Sequence, residues 1–70
     1  MYKLESTVKG ASLGIETFYN PNALIDRLNA LQDAIETYVP LDLYKRFFAH
    51  RDVDMVAHKD ADNFIIVKRG

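Results

Sequence analysis

The chain predicts a single small α+β domain, with elements in the order strand, strand, helix, helix, strand, strand. Three observations carry that prediction. Apolar residues alternate with polar ones at period two near the start, and a β-branched and aromatic run lies near the end. Between them sits a helical stripe that opens on a helix-start signal, Asn20-Pro21. No internal repeat, low-complexity segment or linker interrupts this order. The expected architecture is one antiparallel sheet with both helices packed on one face, and the last strand central beside the first.

Tyr2, Leu4, Ser6 and Val8 alternate with Lys3, Glu5, Thr7 and Lys9, the pattern of a strand with one wet face. Gly10-Ala11-Ser12 reads as a turn. Leu13, Ile15, Thr17 and Tyr19 then line one face of a second strand. Gly14 opposes them and marks a bulge or a close backbone approach.

The first helix is expected from Pro21 to about Thr37 or Tyr38. At ~100° per residue, Leu24, Ile25, Leu28, Leu31, Ile35 and Tyr38 fall in one arc. Asp26, Asn29, Asp33 and Glu36 fall opposite. Pro40 ends or re-aims the helix, because the residue before a proline is pushed toward extended backbone. A second helix follows from Leu41 to about His50. Its apolar residues Leu41, Leu43, Tyr44, Phe47 and Phe48 spread over nearly half the circumference, an arc that needs cover on two sides.

Val53 to Ala57 reads as a third strand, and Lys59 to Asn63 as a polar turn rich in Asp and Asn. Phe64-Ile65-Ile66-Val67 is the strongest strand run, apolar on both faces and so suited to the sheet interior. Lys68-Arg69-Gly70 reads as a wet tail.

Composition bounds the function. Seventy residues are one domain near the lower limit for independent folding. A core of this size rarely supplies more than ~3–5 kcal/mol without a staple. Cysteine is absent, which removes disulfides and thiolate zinc sites from the candidate staples. Efficient packing or a partner subunit remains, and 49% hydrophobic residues, with four Phe and four Tyr, suit either. No stretch has the length of a signal-peptide core or a membrane span, so the expected setting is soluble and cytoplasmic.

Net charge is −1 and evenly spread. Residues 1–35 hold three basic and four acidic side chains, and residues 36–70 hold six of each. The basic excess typical of a nucleic-acid binder is missing at this scale.

Residues that carry chemistry are sparse. Ser6 falls mid-strand and Ser12 in a turn, neither in a nucleophile elbow. His50 and His58 act as bases only if the fold brings them to such a group. Asp52, Asp54, His58, Asp60 and Asp62 crowd together without calcium-loop spacing, so a solvated acidic hairpin is the plainer account. Gly10 and Gly14 precede no Gly-Lys-Ser/Thr and read as turn or bulge glycines. The expectation is a non-enzyme with no cofactor and no metal.

Two surfaces compete for a binding role. Asp26, Asn29, Asp33 and Glu36 form an acidic helix face suited to docking on a basic protein surface. Lys45, Arg46, His50 and Arg51 are the alternative, a nucleic-acid contact through the second helix. Helical geometry sends the neighbouring aromatics inward, and the acidic first helix would repel phosphate. Phe18 lies on the opposite strand face from Ile15 and Tyr19, so a one-sided helix layer leaves one set exposed. Tyr2, Phe18, Tyr19 and Phe64 are candidates for an exposed interface cluster, and edge strands offer a further route to a homodimer.

In size, acidity and layout the chain is similar to small proteins of bacteriophages and mobile elements that bind and inhibit host factors. That likeness covers general appearance, with no motif behind it. The missing chemistry, the small size, the acidic first helix and the surplus of apolar surface lead to the expectation of a non-catalytic protein-binding module, an inhibitor or adaptor of phage or mobile-element type acting on a host protein, with a homodimer among its expected forms.

Overall fold

A computed structural model describes residues 1–70. The order is β1 (Tyr2–Val8), β2 (Ala11–Phe18), α1 (Pro21–Ile35), α2 (Leu41–Ala49), β3 (Met55–Asp60) and β4 (Asn63–Arg69). The strands form one sheet in the order β2-β1-β4-β3, with every neighbouring pair antiparallel. Both helices cover the same face, and the last strand lies central beside the first, as expected from its two-sided apolar run.

Strand alternation decides what is buried. Leu4 and Ser6 of β1, Ile65 and Val67 of β4, and Met55 and Ala57 of β3 all point under the helices. Leu24, Leu28, Leu31 and Ile35 of α1 descend onto them, and Phe47 of α2 closes one end. The opposite sheet face is uncovered, and along one row it carries Ile15, Glu5, Ile66 and Val56.

The first turn is tighter than expected. Lys9 and Gly10 alone form it, both with positive φ (52° and 79°), so Ala11 and Ser12 belong to β2. Two left-handed residues match the strand twist that a two-residue hairpin requires. Gly14, at φ 75°, marks the expected bulge. Glu5 faces Ile15 while Thr7 faces Ser12, which leaves Leu13 and Gly14 together opposite Ser6.

Helix α1 starts where the sequence signals it. The Asn20 side chain accepts the Asn22 N–H at 2.8 Å and Pro21 opens the first turn. It stops earlier than Thr37, because Glu36 adopts a left-handed conformation (φ 55°). The Thr37 N–H then folds back onto the Gln32 carbonyl at 3.2 Å, closing the helix.

The second hairpin is shifted toward the C-terminus. β3 begins at Met55 rather than Val53 and runs to Asp60, leaving Ala61-Asp62 as the turn. Pairing of Met55 with Val67 and of Ala57 with Ile65 sets this register, because it puts both β3 residues over the core. β4 likewise extends beyond Val67 to Arg69.

Arg69 is therefore no wet tail. It pairs with Tyr2, its guanidinium lies 5.6 Å from the Tyr2 ring and 5.2 Å from the Phe47 ring, and Nη2 donates to the Phe47 carbonyl at 2.9 Å. The hairpin tips are tied at the other end of the sheet. Lys9 N–H donates to Asn63 Oδ1 and Gly10 N–H to the Asp62 carbonyl, each at 2.9 Å. No helix is long and apolar enough to cross a membrane.

Candidate functional site: the groove between the helices

The aromatic residues considered for an exposed cluster do not form one. Tyr2 and Phe18 lie on the helix-covered face and pack against the core. Phe64 is half-buried on the opposite face, stacked beside His58 at 6.5 Å. Only Tyr19 stands clear. Tyr2, Phe47 and Phe48 instead form an internal aromatic trio, with ring centroids 5.1–5.9 Å apart.

The chemistry-bearing residues are dispersed. Ser6 is buried beneath the helices with no hydrogen-bond partner, and Ser12 Oγ accepts the Gly14 N–H at 3.4 Å. Asp52 and Asp54 precede β3 rather than sharing a strand face. No three His, Asp or Glu side chains converge anywhere in the fold. Asp60 instead organises its own turn, accepting the Asp62 N–H at 2.9 Å and Asn63 Nδ2 at 3.0 Å. Those bonds, Asn63's first, hold the Asp60 carboxyl below its ordinary value.

Residues of α1 and α2 together bound an open groove of about 490 Å³. Ile25 and Asn29 come from α1, and Leu41, Tyr44, Lys45 and Phe48 from α2. Leu41 has no cover and is 68% exposed. The wide apolar arc of α2 explains the groove. Phe47 is buried in the core, Tyr44 and Phe48 line the groove with Ile25 of α1, and Leu41 at the start of α2 stays exposed beside them.

A buried amide positions the groove. Gln32, 2% exposed on α1, donates from Nε2 to the Tyr44 hydroxyl at 2.7 Å and to the Leu28 carbonyl at 3.2 Å. Its Oε1 accepts the Val39 N–H from the connection between the helices. Sequence reasoning passed over Gln32. Its one visible signal was position: a glutamine next to Leu31 on the apolar side of an otherwise regular stripe.

One residue from each set of binding candidates lines this groove. Asn29 from the acidic set and Lys45 from the basic set both line it. Asp26 and Asp33 are exposed along the outer ridge of α1. Glu36 has left the helix and sits in its left-handed cap. Asp33 also accepts the Tyr38 hydroxyl at 2.8 Å. That bond, with a smaller push from nearby negative charge, raises the Tyr38 hydroxyl above its usual value.

All four basic candidates are exposed. Lys45 faces the groove, whereas Arg51 lines a separate cleft beside Arg69, Tyr2 and the paired chain ends. Arg46 and His50 are exposed and border neither. Compared with protein-family models, curated proteins and solved structures, the chain matches none.

Proposed function

We propose that this domain is a non-catalytic protein-binding module, an inhibitor or adaptor working in a reducing cytoplasm, that grips its partner in the α1–α2 groove. The observation that carries this reading is the uncovered apolar groove itself, with Leu41 exposed at its mouth. Soluble folds rarely leave a concave apolar surface of this kind without a use for it.

The rims narrow down the partner. Asp26 and Asp33 lie along the α1 ridge, and Lys45 stands on the α2 side. Opposite charges on opposite banks fix the direction in which a segment lies and speed its capture. The fitting partner is a short amphipathic segment. It has a large apolar anchor for Leu41, Tyr44 and Phe48, an acidic residue for Lys45, and a basic residue for the α1 ridge.

Selection from a random-peptide display library tests this. Enriched peptides should combine an apolar anchor with one acidic and one basic residue. Leu41→Glu should abolish their binding, and Asp26→Lys should slow association, while both variants melt like the parent. Failure to enrich any peptide, or binding indifferent to Leu41→Glu, removes the groove from consideration. Binding of mixed-sequence DNA or RNA that falls steeply with salt and needs Lys45 and Arg46 would favour the nucleic-acid alternative instead.

A further inference from the structure

The geometry points to β2 as the place where two copies of this chain join edge to edge, in a two-fold pairing centred on Thr17. The sheet order leaves two edges, β2 and β3. An open edge presents unpaired N–H and C=O groups, and proteins usually blunt it with charge, brevity or a bulge. β3 is blunted in these ways. It is six residues long, ends in His58-Lys59-Asp60, and its register is irregular between His58 and Asp60.

β2 is guarded only in its first half. The bulge at Leu13-Gly14 disrupts that half. Beyond it, Ile15-Glu16-Thr17-Phe18 is regular to the strand's end and carries one charge, Glu16, and Tyr19 follows in a bend. Arg27 of α1 holds that charge at 3.0 Å. Ile15 is 67% exposed and Tyr19 is 80% exposed, so two of the most exposed large apolar side chains flank this short stretch.

Their spacing argues for a second copy rather than a foreign strand. A two-fold interface is self-complementary: if residue i meets j, then j meets i. Antiparallel pairing about Thr17 sets Thr17 against Thr17, and brings each Ile15 beside the other copy's Tyr19, in the bend just past the strand. The bulge falls outside the paired stretch. Glu16 would lie opposite Phe18, so no like charges meet. Opposed Thr–Thr and aromatic–β-branched pairs are among the favourable cross-strand combinations.

The helix above adds surface on the same side. Arg27 shows that one flank of α1 overhangs β2, and Ala23, Ala30 and Ala34 lie on that flank, all exposed. Side chains this small leave room for the second copy's α1 to approach as the sheets join. The join uses a different surface from the groove, so a dimer that fails leaves the groove reading intact, and the reverse also holds.

Sedimentation across a concentration series, reaching the millimolar range, tests the join on the whole chain. The expected result is a reversible species of twice the chain mass, lost in Ile15→Lys and kept in Val56→Lys on the opposite edge. Tyr19→Lys, outside the strand, is the second variant if Ile15→Lys does not fold. Because the chain has no cysteine, Thr17→Cys reports the register. Directly opposed residues hold Cβ atoms about 4.5–5.5 Å apart, close to the ~3.5–4.5 Å that a disulfide spans. Thr17→Cys should therefore oxidise to a covalent dimer much faster than Val56→Cys. A monomer at every concentration, a dimer untouched by the β2 lysines, or equal cross-linking at both edges would each overturn the proposal.

Discussion

The Gln32 side chain accepts the Val39 N–H and donates to the Tyr44 hydroxyl at 2.7 Å, so one buried amide joins the end of α1, the connection after it and α2. Both helices pack over the sheet, but few groups bind them to each other. This amide does, and its loss would strand a nearly buried N–H.

Gln32→Ala is expected to cost about 1–3 kcal/mol, the penalty for leaving a buried polar group unpaired. Tyr44→Phe should cost less, about 0.5–1.5 kcal/mol, since it removes one bond and leaves Val39 satisfied. The double variant should cost less than the sum, because the two residues share the interaction. Urea midpoints at a constant slope measure all three. A Gln32→Ala protein as stable as the parent would mean that the connection repacks without the amide.

The core prediction rests on Leu28 and Phe47, each fully buried. Truncation to alanine opens a cavity, and either variant should lose roughly 2–5 kcal/mol. That is comparable to all that a domain of this size holds in reserve. Phe47→Ala also removes the ring beneath Arg69, whose guanidinium lies 5.2 Å from it. The variant should therefore loosen the pairing of β1 with β4 as well, read as faster amide exchange at Tyr2 and Arg69.

Most of this fold was legible because its signals are local. Strand alternation in β1, the Asn20-Pro21 start of α1 and the run in β4 each follow from neighbouring residues. The left-handed Glu36 had no such signal, since glutamate is a poor choice for that conformation and the helix stripe runs past it. The β3 boundary escaped for another reason: Met55 and Ala57 are placed by pairing with Val67 and Ile65, which local sequence does not encode. Arg69 looked like solvent-facing charge until its strand partner, Tyr2, put it over two rings. At the groove, the residue types on each helix were readable. What could not be read was that Asn29 and Lys45 would line the same groove.

Asp60 predicts an acid-side effect. Its carboxyl titrates below the usual value because Asn63 and the Asp62 N–H donate to it. A carboxyl lowered in the folded state adds stability above its unfolded pKa and loses it as pH falls through the folded one. The effect therefore belongs below about pH 4, the ordinary aspartate range. Carbon-detected titration should show Asp60 titrating below a free aspartate. Asn63→Ala should move it back toward ordinary while also freeing the Lys9 N–H that ties the hairpin tips. An unmoved titration would place the cause elsewhere in the turn.

Tyr38 predicts the opposite side of the pH scale. Its hydroxyl donates to Asp33, and ionisation would both break that bond and set a phenolate beside Asp33 and Glu36, so its pKa is raised. A tyrosine raised on folding contributes fully below its unfolded pKa near ~10, and the contribution disappears as pH climbs through the higher folded value. Ultraviolet titration of the phenol band should show one tyrosine ionising later than the free side chain. Asp33→Ala should bring it back, and Glu36→Gln should lower it less, since Glu36 acts through charge alone. This bond also governs how binding tests on α1 are designed. Reversing charge at Asp33 disturbs Tyr38 as well as the ridge, whereas Asp26 makes no such bond. If Asp26→Lys and Asp33→Lys slow peptide capture equally, ridge charge is responsible; if only Asp33→Lys acts, the Tyr38 contact is what the partner needs.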